Sequence, residues 1–315
     1  MGVRITNSMT LRTALADVAR QRAQLARTQE QASSGLRVNR PSDDPVAARA
    51  ATVLRAARSE TAQYQRNVTQ GRGRISATES SLGDAVDALV RARELAIAGA
   101  NGTMDAVSRA DAAQEIATLH ARLLADANAS SGGTHVFGGH TGDVAPFTVS
   151  GAFSVGSPAP TVTFTGDASE VEIEIDEGVR VPTSLDGRRV FLGDGNGDGT
   201  PDPGREDLFG VLGDLWNALQ ANDGAATAAT LDRIDRGIDQ LDVERTQIGA
   251  VDAQLQHWSD SLASRSTDLL ARLSDAEDAD AAQVFSSLAN QEAALTASLQ
   301  ATAKVVQPTL LDFLS

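Results

Sequence analysis

Near both ends of the chain, apolar and neutral positions recur in steps built from an alternating four-three pattern. At the start they are Leu11, Leu15, Val18, Leu25, Ala32 and Leu36, with Arg22 and Gln29 in the gaps. At the end they are Phe285, Leu288, Leu295, Leu299, Thr302 and Val306, with Glu292 in one gap. Each set is a narrow stripe on a helix, too thin to fold alone. Each stripe therefore needs a partner helix, either the other stripe or a helix of a neighbouring subunit. The polar gap residues either lie exposed where the seam is loose or fix its register.

The first helix is expected from Ser8 or Thr10, either of which can cap it, to Ser33. Gly35 ends it, and the stretch before Pro41 reads as extended chain. Ser42, Asp43 and Asp44 stand where an N-cap belongs, and Pro45 suits a first helical turn. The Asp pair is read as capping, because no other catalytic group stands near it. A long helix then runs to about Ala98, its seam passing through Leu54, Val68, Ile75, Leu82 and Leu89. Within it, Gly71 and Gly73 offer room for another backbone to come close. A second helix spans about Asp105 to Ala129.

From Thr134 to Leu192 the pattern turns strand-like. Phe147–Phe153, Thr161–Thr165, Val171–Ile175 and Arg189–Leu192 are short β-rich runs broken by Gly, Pro and Asp. Helix resumes at Leu208–Leu219 and again from about Ala225 to Leu273. The latter carries Ile234, Leu241, Ile248, Leu255, Leu262 and Leu269, each seven residues from the last, and is expected to pack along the earlier long helix. An acidic stretch from Ser274 to Asp280 precedes the last helix, which Pro308 is expected to close.

The fold class that follows is mainly α, with long coiled-coil-like helices from both chain ends and a small β insertion. Its expected division is nested. Residues 1–42 with 275–315 form a terminal helical assembly region, 43–132 with 206–274 a long-helix bundle, and 133–205 a β-rich outer domain.

Composition narrows the functions. The 315 residues carry a net charge of −15, so nucleic acid is not an expected partner. Without cysteine there is no disulfide, thiol nucleophile or Cys-ligated zinc. No apolar run suggests a cleaved signal peptide or a membrane span.

Asp194, Asn196, Asp198, Thr200 and Asp202 place oxygens at alternate positions of a Gly-rich loop, the spacing of a calcium loop. The twelfth position, where a bidentate carboxylate belongs, is Arg205, with Glu206 one residue late. Calcium is the one cofactor this sequence suggests. His135, His140 and Asp143 have metal-like spacing but no fourth ligand. No nucleophile elbow, P-loop or dinucleotide fingerprint occurs, so no enzyme is expected.

The segment Ser33-Ser-Gly-Leu-Arg-Val-Asn-Arg40-Pro41-Ser42-Asp43-Asp44-Pro45 resembles the motif after the first helix of bacterial flagellins. Its Arg-Pro-Ser-Asp-Asp-Pro form is closer to the hook-associated, hook-filament junction type. Asn67 after Tyr64-Gln-Arg, Ala92-Arg-Glu-Leu-Ala, Val136-Phe-Gly-Gly and the terminal Leu310-Leu-Asp-Phe-Leu are similar to the same family. The resemblance covers roughly 1–147 and 208–315. It implies a structural protein of the extracellular flagellum, exported by the flagellar type III apparatus without a cleaved signal. Implied partners are the hook-side junction protein, flagellin, copies of itself in a ring or helical layer, and an export chaperone at the C-terminal helix. Alternatives are a short flagellin that forms the filament itself, or a secreted calcium-binding or adhesive module.

Overall fold

The computed structural model describes the backbone of residues 7–311 and the side chains of residues 9 and 12–303. In chain order its helices are α1 (Asn7–Ser34), α2 (Pro45–Ala100), α3 (Ala106–Ala127), α4 (Leu208–Gln220), α5 (Gly224–Glu277) and α6 (Ala281–Leu311). Between α3 and α4 lie six short strands, β1 (Ser130–Ser131), β2 (Thr134–His135), β3 (Phe147–Ser150), β4 (Thr161–Phe164), β5 (Glu172–Asp176) and β6 (Val179–Pro182). The chain is thus mainly helical with a small β insertion, as the periodicity predicts. Two compact units result, one of residues 1–60 with 264–315 and one of residues 61–263.

In the unit of residues 61–263, α2 and α5 run antiparallel. Their ion pairs Arg72–Asp252, Glu79–Arg245 and Arg93–Asp235 rise along one helix as they fall along the other. Both helices present heptads to a shared core: Val68, Ile75, Leu82 and Leu89 on α2, and Ile234, Leu241, Ile248, Leu255 and Leu262 on α5. α3 packs against α4, whose Leu208, Leu212, Leu215 and Leu219 are buried. A Cβ on Gly71 would meet Ile173 Cδ1 at 2.4 Å, so the missing side chain lets the β5–β6 hairpin seat on α2. Gly73 has open space where its Cβ would be.

The β insertion is three separate antiparallel hairpins, β1–β2, β3–β4 and β5–β6. Its core is aromatic, with Phe191 packed against Phe137 and Phe147 at centroid distances of 5.0 and 5.4 Å. Arg189–Leu192, which reads as strand, lies instead within a π-helical turn (Arg188–Leu192). Asp186 starts that turn, accepting the Arg188 amide at 2.9 Å. The turn buries Val190 and Phe191, adjacent in sequence, together. A strand would send them to opposite faces. Two helix ends also differ from the sequence reading. α5 continues through the acidic stretch to Glu277, and α6 passes Pro308 to Leu311.

A buried charge cluster ties the turn to α5. Glu244, on α5 with its side chain 1% exposed, accepts from Arg189 and from Arg205, each at 2.8 Å. Gln240 donates to the Val190 carbonyl at 2.7 Å and accepts the Glu206 amide at 3.0 Å.

Candidate functional site

The unit of residues 1–60 with 264–315 joins the chain's two ends, and the flagellin-like motif lies at the join. Gly35 leaves α1 with φ +73°, a left-handed conformation suited to glycine. The chain then pairs for one bridge with its far end, Leu36 opposite Asp278 in antiparallel sense. The Arg37 amide donates to the Glu277 carbonyl at 2.7 Å, and the Ala279 amide donates to the Gly35 carbonyl at 2.9 Å. The Arg37 guanidinium reinforces this by reaching the Ala276 carbonyl at 2.8 Å and Asp44 at 3.0 Å. The buried Glu277 carboxylate pairs with Arg55.

The motif's carboxylates close the turn into α2. The Arg40 amide donates to Asp43 at 2.8 Å. Asp44 caps the helix, accepting from the amides of Val46 at 3.1 Å and Ala47 at 3.0 Å. The Ala47 amide first, and then the Arg37 guanidinium, hold the Asp44 carboxyl below its ordinary value. Pro45 opens α2, where its lost N–H has no intrahelical partner to miss. Arg40 anchors the turn to α1 through Glu30 at 3.0 Å.

Beyond the join, α1 packs against α6. Of the predicted stripes, Val18 is buried and Leu25, Leu36, Leu288, Leu295 and Thr302 are half-buried. Leu15, Phe285 and Leu299 are exposed, at 55%, 58% and 41%, and so leave the intrachain seam. The side chains of Leu11 and Val306 lie outside the described residues. Arg22, Gln29 and Glu292 are exposed. In place of more apolar side chains the seam holds polar ones. Thr28 is buried, and the Oε1 atoms of Gln21 and Gln291 are buried without a hydrogen-bond partner. The two helices are thus held by a weak seam, and part of each apolar stripe faces solvent.

The structure ties down the acidic loop from within. Asp194, 4% exposed, accepts the amides of Gly197 at 2.6 Å and Gly199 at 3.0 Å. Asn196 accepts from the Asp198 amide at 2.8 Å, Asp198 accepts from the Thr200 amide at 2.9 Å, and Asp202 accepts from the Gly195 amide at 2.9 Å. Arg205 and Glu206 turn to α5, Arg205 to Glu244 at 2.8 Å and Glu206 to Arg236 at 2.6 Å. His135 Nδ1 lies 2.6 Å from the Asn128 carbonyl, while His140 and Asp143 are exposed. Among the described residues no group of three or more His, Asp and Glu side chains gathers as a metal site.

The sequence alone does not single out the Arg37–Ala276 and Arg55–Glu277 links. Their partners are 239 and 222 positions apart, and no local spacing announces them.

Residues 5–141 match the bacterial flagellin N-terminal helical region, and residues 231–314 match the bacterial flagellin C-terminal helical region. The flagellar hook-associated protein 3 of Escherichia coli K12 is 29% identical over 310 residues, covering 95% of this chain and 96% of that protein. Its counterpart in Salmonella typhimurium LT2 is 29% identical over 308 residues, with coverage of 94% and 95%. The crystal structure of the flagellar junction protein FlgL from Legionella pneumophila shares the fold, with a TM-score of 0.57 at 15% identity over 73% of this chain and 100% of that one.

Proposed function

Since this chain belongs to the bacterial flagellin family, in its hook-associated protein 3 branch, we propose that it is a structural subunit of the hook-filament junction. In this reading the subunit is exported by the flagellar type III apparatus and takes its place outside the cell. Its terminal helices dock against the hook-side junction protein, flagellin and further copies of itself. An export chaperone holds the C-terminal helix beforehand. The observation that carries the assembly role is the seam between α1 and α6. It buries few apolar groups and two unpartnered amide oxygens, yet leaves Leu15, Phe285 and Leu299 in solvent. A helix pair of that kind gains stability when further helices cover its apolar stripes.

Deleting the gene tests this directly. The expected phenotype is intact hooks with filament protein shed as monomer into the medium, restored by the full chain and not by a chain lacking residues 300–315. Filaments of normal length in the deletion strain would refute it. If the purified chain polymerised alone into long filaments, the short-flagellin reading would replace it.

A further inference from the structure

The chain holds two Asn-Gly pairs, Asn101–Gly102 and Asn196–Gly197. In such a pair the glycine amide nitrogen can reach the asparagine Cγ, because no glycine side chain restricts the approach. The structure treats the two pairs differently.

Asn196 is held on both sides. Its Oδ1 accepts the Asp198 amide at 2.8 Å, and its Nδ2 donates to the Asp198 carboxylate at 3.2 Å. The Gly197 amide is committed to Asp194 at 2.6 Å. Asn101 and Gly102 instead stand exposed in the turn between α2 and α3, which the Met104 amide closes by donating to the Asn101 carbonyl at 3.2 Å. Among the described residues no hydrogen bond engages the Asn101 side chain or the Gly102 amide. Both reacting groups are therefore free.

The main-chain carbonyl of Asn101 has a second donor, Arg109 Nη2 at 3.1 Å. Arg109 is 7% exposed, and its other acceptors, the Gly99 carbonyl at 2.8 Å and the Asn222 side chain, are also uncharged. A carboxylate formed at residue 101 would give this buried guanidinium a charged acceptor.

We propose that Asn101 is a site of spontaneous modification, deamidating through a cyclic imide formed with Gly102, and that Arg109 steers the product to isoaspartate. The Gly102 nitrogen gives up its proton and bonds to Asn101 Cγ. The Cγ–Nδ2 bond breaks and ammonia leaves. Water then opens the ring, and no oxidant or reductant enters. Addition of water at Cγ gives aspartate, and addition at the main-chain carbonyl gives isoaspartate. Arg109 and the Met104 amide polarise the main-chain carbonyl, and the carboxylate freed there keeps the oxygen that Arg109 already holds.

The test incubates the full chain at mildly alkaline pH, folded or unfolded in guanidinium chloride, and weighs the peptides spanning the two pairs over time. Conversion adds about 1 Da, as the amide NH2 becomes a hydroxyl. In the folded chain Asn101 is expected to convert at least about tenfold faster than Asn196, the factor that one charge-assisted hydrogen bond on Gly197 supplies. In the unfolded chain the two rates should converge, and the isoaspartate share at residue 101, read by chromatography, should fall. Gly102→Ala is the variant, because open space lies where its Cβ would be. It should slow conversion at Asn101 by roughly tenfold, since a side chain narrows the backbone angles open to the ring. An unmodified Asn101 in the folded chain, equal rates at the two pairs there, or an unchanged rate in Gly102→Ala would overturn the proposal. An isoaspartate share no greater in the folded chain than in the unfolded one would overturn the steering by Arg109.

Discussion

The Arg37 guanidinium donates to the carbonyl of Ala276 at 2.8 Å, across 239 positions of sequence. With its amide on Glu277, one residue fastens the start of the chain to its end. Asp44 holds the same guanidinium from the other side, so Arg37 bridges the cap of α2 and the last turn of α5. Arg37→Lys keeps the charge and loses the fork that meets both acceptors. We expect amide exchange at Val38 and Ala279 to quicken by roughly fivefold, allowing about 1 kcal/mol for a half-exposed donor. The amides of residues 234–262 should not change. Unchanged rates at Val38 and Ala279 would mean that the backbone pairing alone holds the join.

Glu244 offers a sharper stability test, because its side chain is 1% exposed between Arg189 and Arg205. Glu244→Gln leaves two guanidinium groups around a neutral amide. Breaking a buried pair from one side costs about 3 kcal/mol or more. Glu79→Gln is the control, since the Glu79–Arg245 pair is 42% and 36% exposed and should cost under about 1 kcal/mol. Urea midpoints of the two variants decide it, and equal midpoints would show that the buried cluster contributes no more than a surface pair.

How far the sequence foretells such features depends on their range. Heptads on α5 appear in the sequence because each side chain repeats the same contact every two turns, so Ile234 through Leu262 announce the buried seam. The cap at Asp44 is equally local. The sequence also marks Gly71 and Gly73 alike, and only the hairpin residue Ile173, about a hundred positions on, separates them. Strand propensity misreads Arg189–Leu192, because β-rich composition reports burial and not the π-helical turn that places Val190 and Phe191 together. The terminal stripes show in the sequence as stripes, while the choice between Val18, which faces α6, and Leu15, which faces solvent, depends on tertiary packing. The acidic loop shows its oxygens, but not that Asp194, Asn196, Asp198 and Asp202 each already accept an amide of the loop itself.

His120 should make the helical core acid-sensitive. Its ring is 3% exposed, edge-on to Phe153 at 5.1 Å and Phe209 at 5.3 Å, and Nε2 has no partner. Burial pulls its pKa from 6.5 to about 4. The unfolded chain therefore binds the proton first, and stability is lost as pH falls from 6.5 towards 4. Asp126 opposes this, because burial first and then Asp84 push its carboxyl up to about 6. The folded chain binds that proton first, so stability rises as pH falls from 6 towards the ordinary carboxylate value. Asp126→Asn should unmask the histidine, with a loss of about 2 kcal/mol between pH 7 and 5 in urea unfolding. Adding His120→Phe to that variant should flatten the profile. A flat profile in Asp126→Asn alone would show that His120 is not held neutral by its aromatic surroundings.

The last prediction concerns α1 and α6, the helices assigned to assembly. Among the described residues of α1, Val18 and Thr28 are the buried ones, Leu25, Leu288 and Leu295 are half-buried, and the Oε1 atoms of Gln21 and Gln291 are buried unpaired. By contrast, α5 buries Ile234, Leu241, Ile248, Leu255 and Leu262 in an unbroken heptad series. Local opening follows buried apolar contact, so the two regions should differ widely in free energy of opening. In the purified monomer, amides of residues 12–34 and 281–303 should exchange at least about a thousandfold faster than those of 234–262, a gap of roughly 4 kcal/mol. Phe285→Ser should leave the monomer's exchange unchanged, because Phe285 is 58% exposed, and should weaken assembly onto purified hooks. Equal protection in the two regions would mean that α1 and α6 are a finished bundle within one chain. The exposed stripe at Leu15, Phe285 and Leu299 would then lose its role as the surface that neighbouring subunits complete.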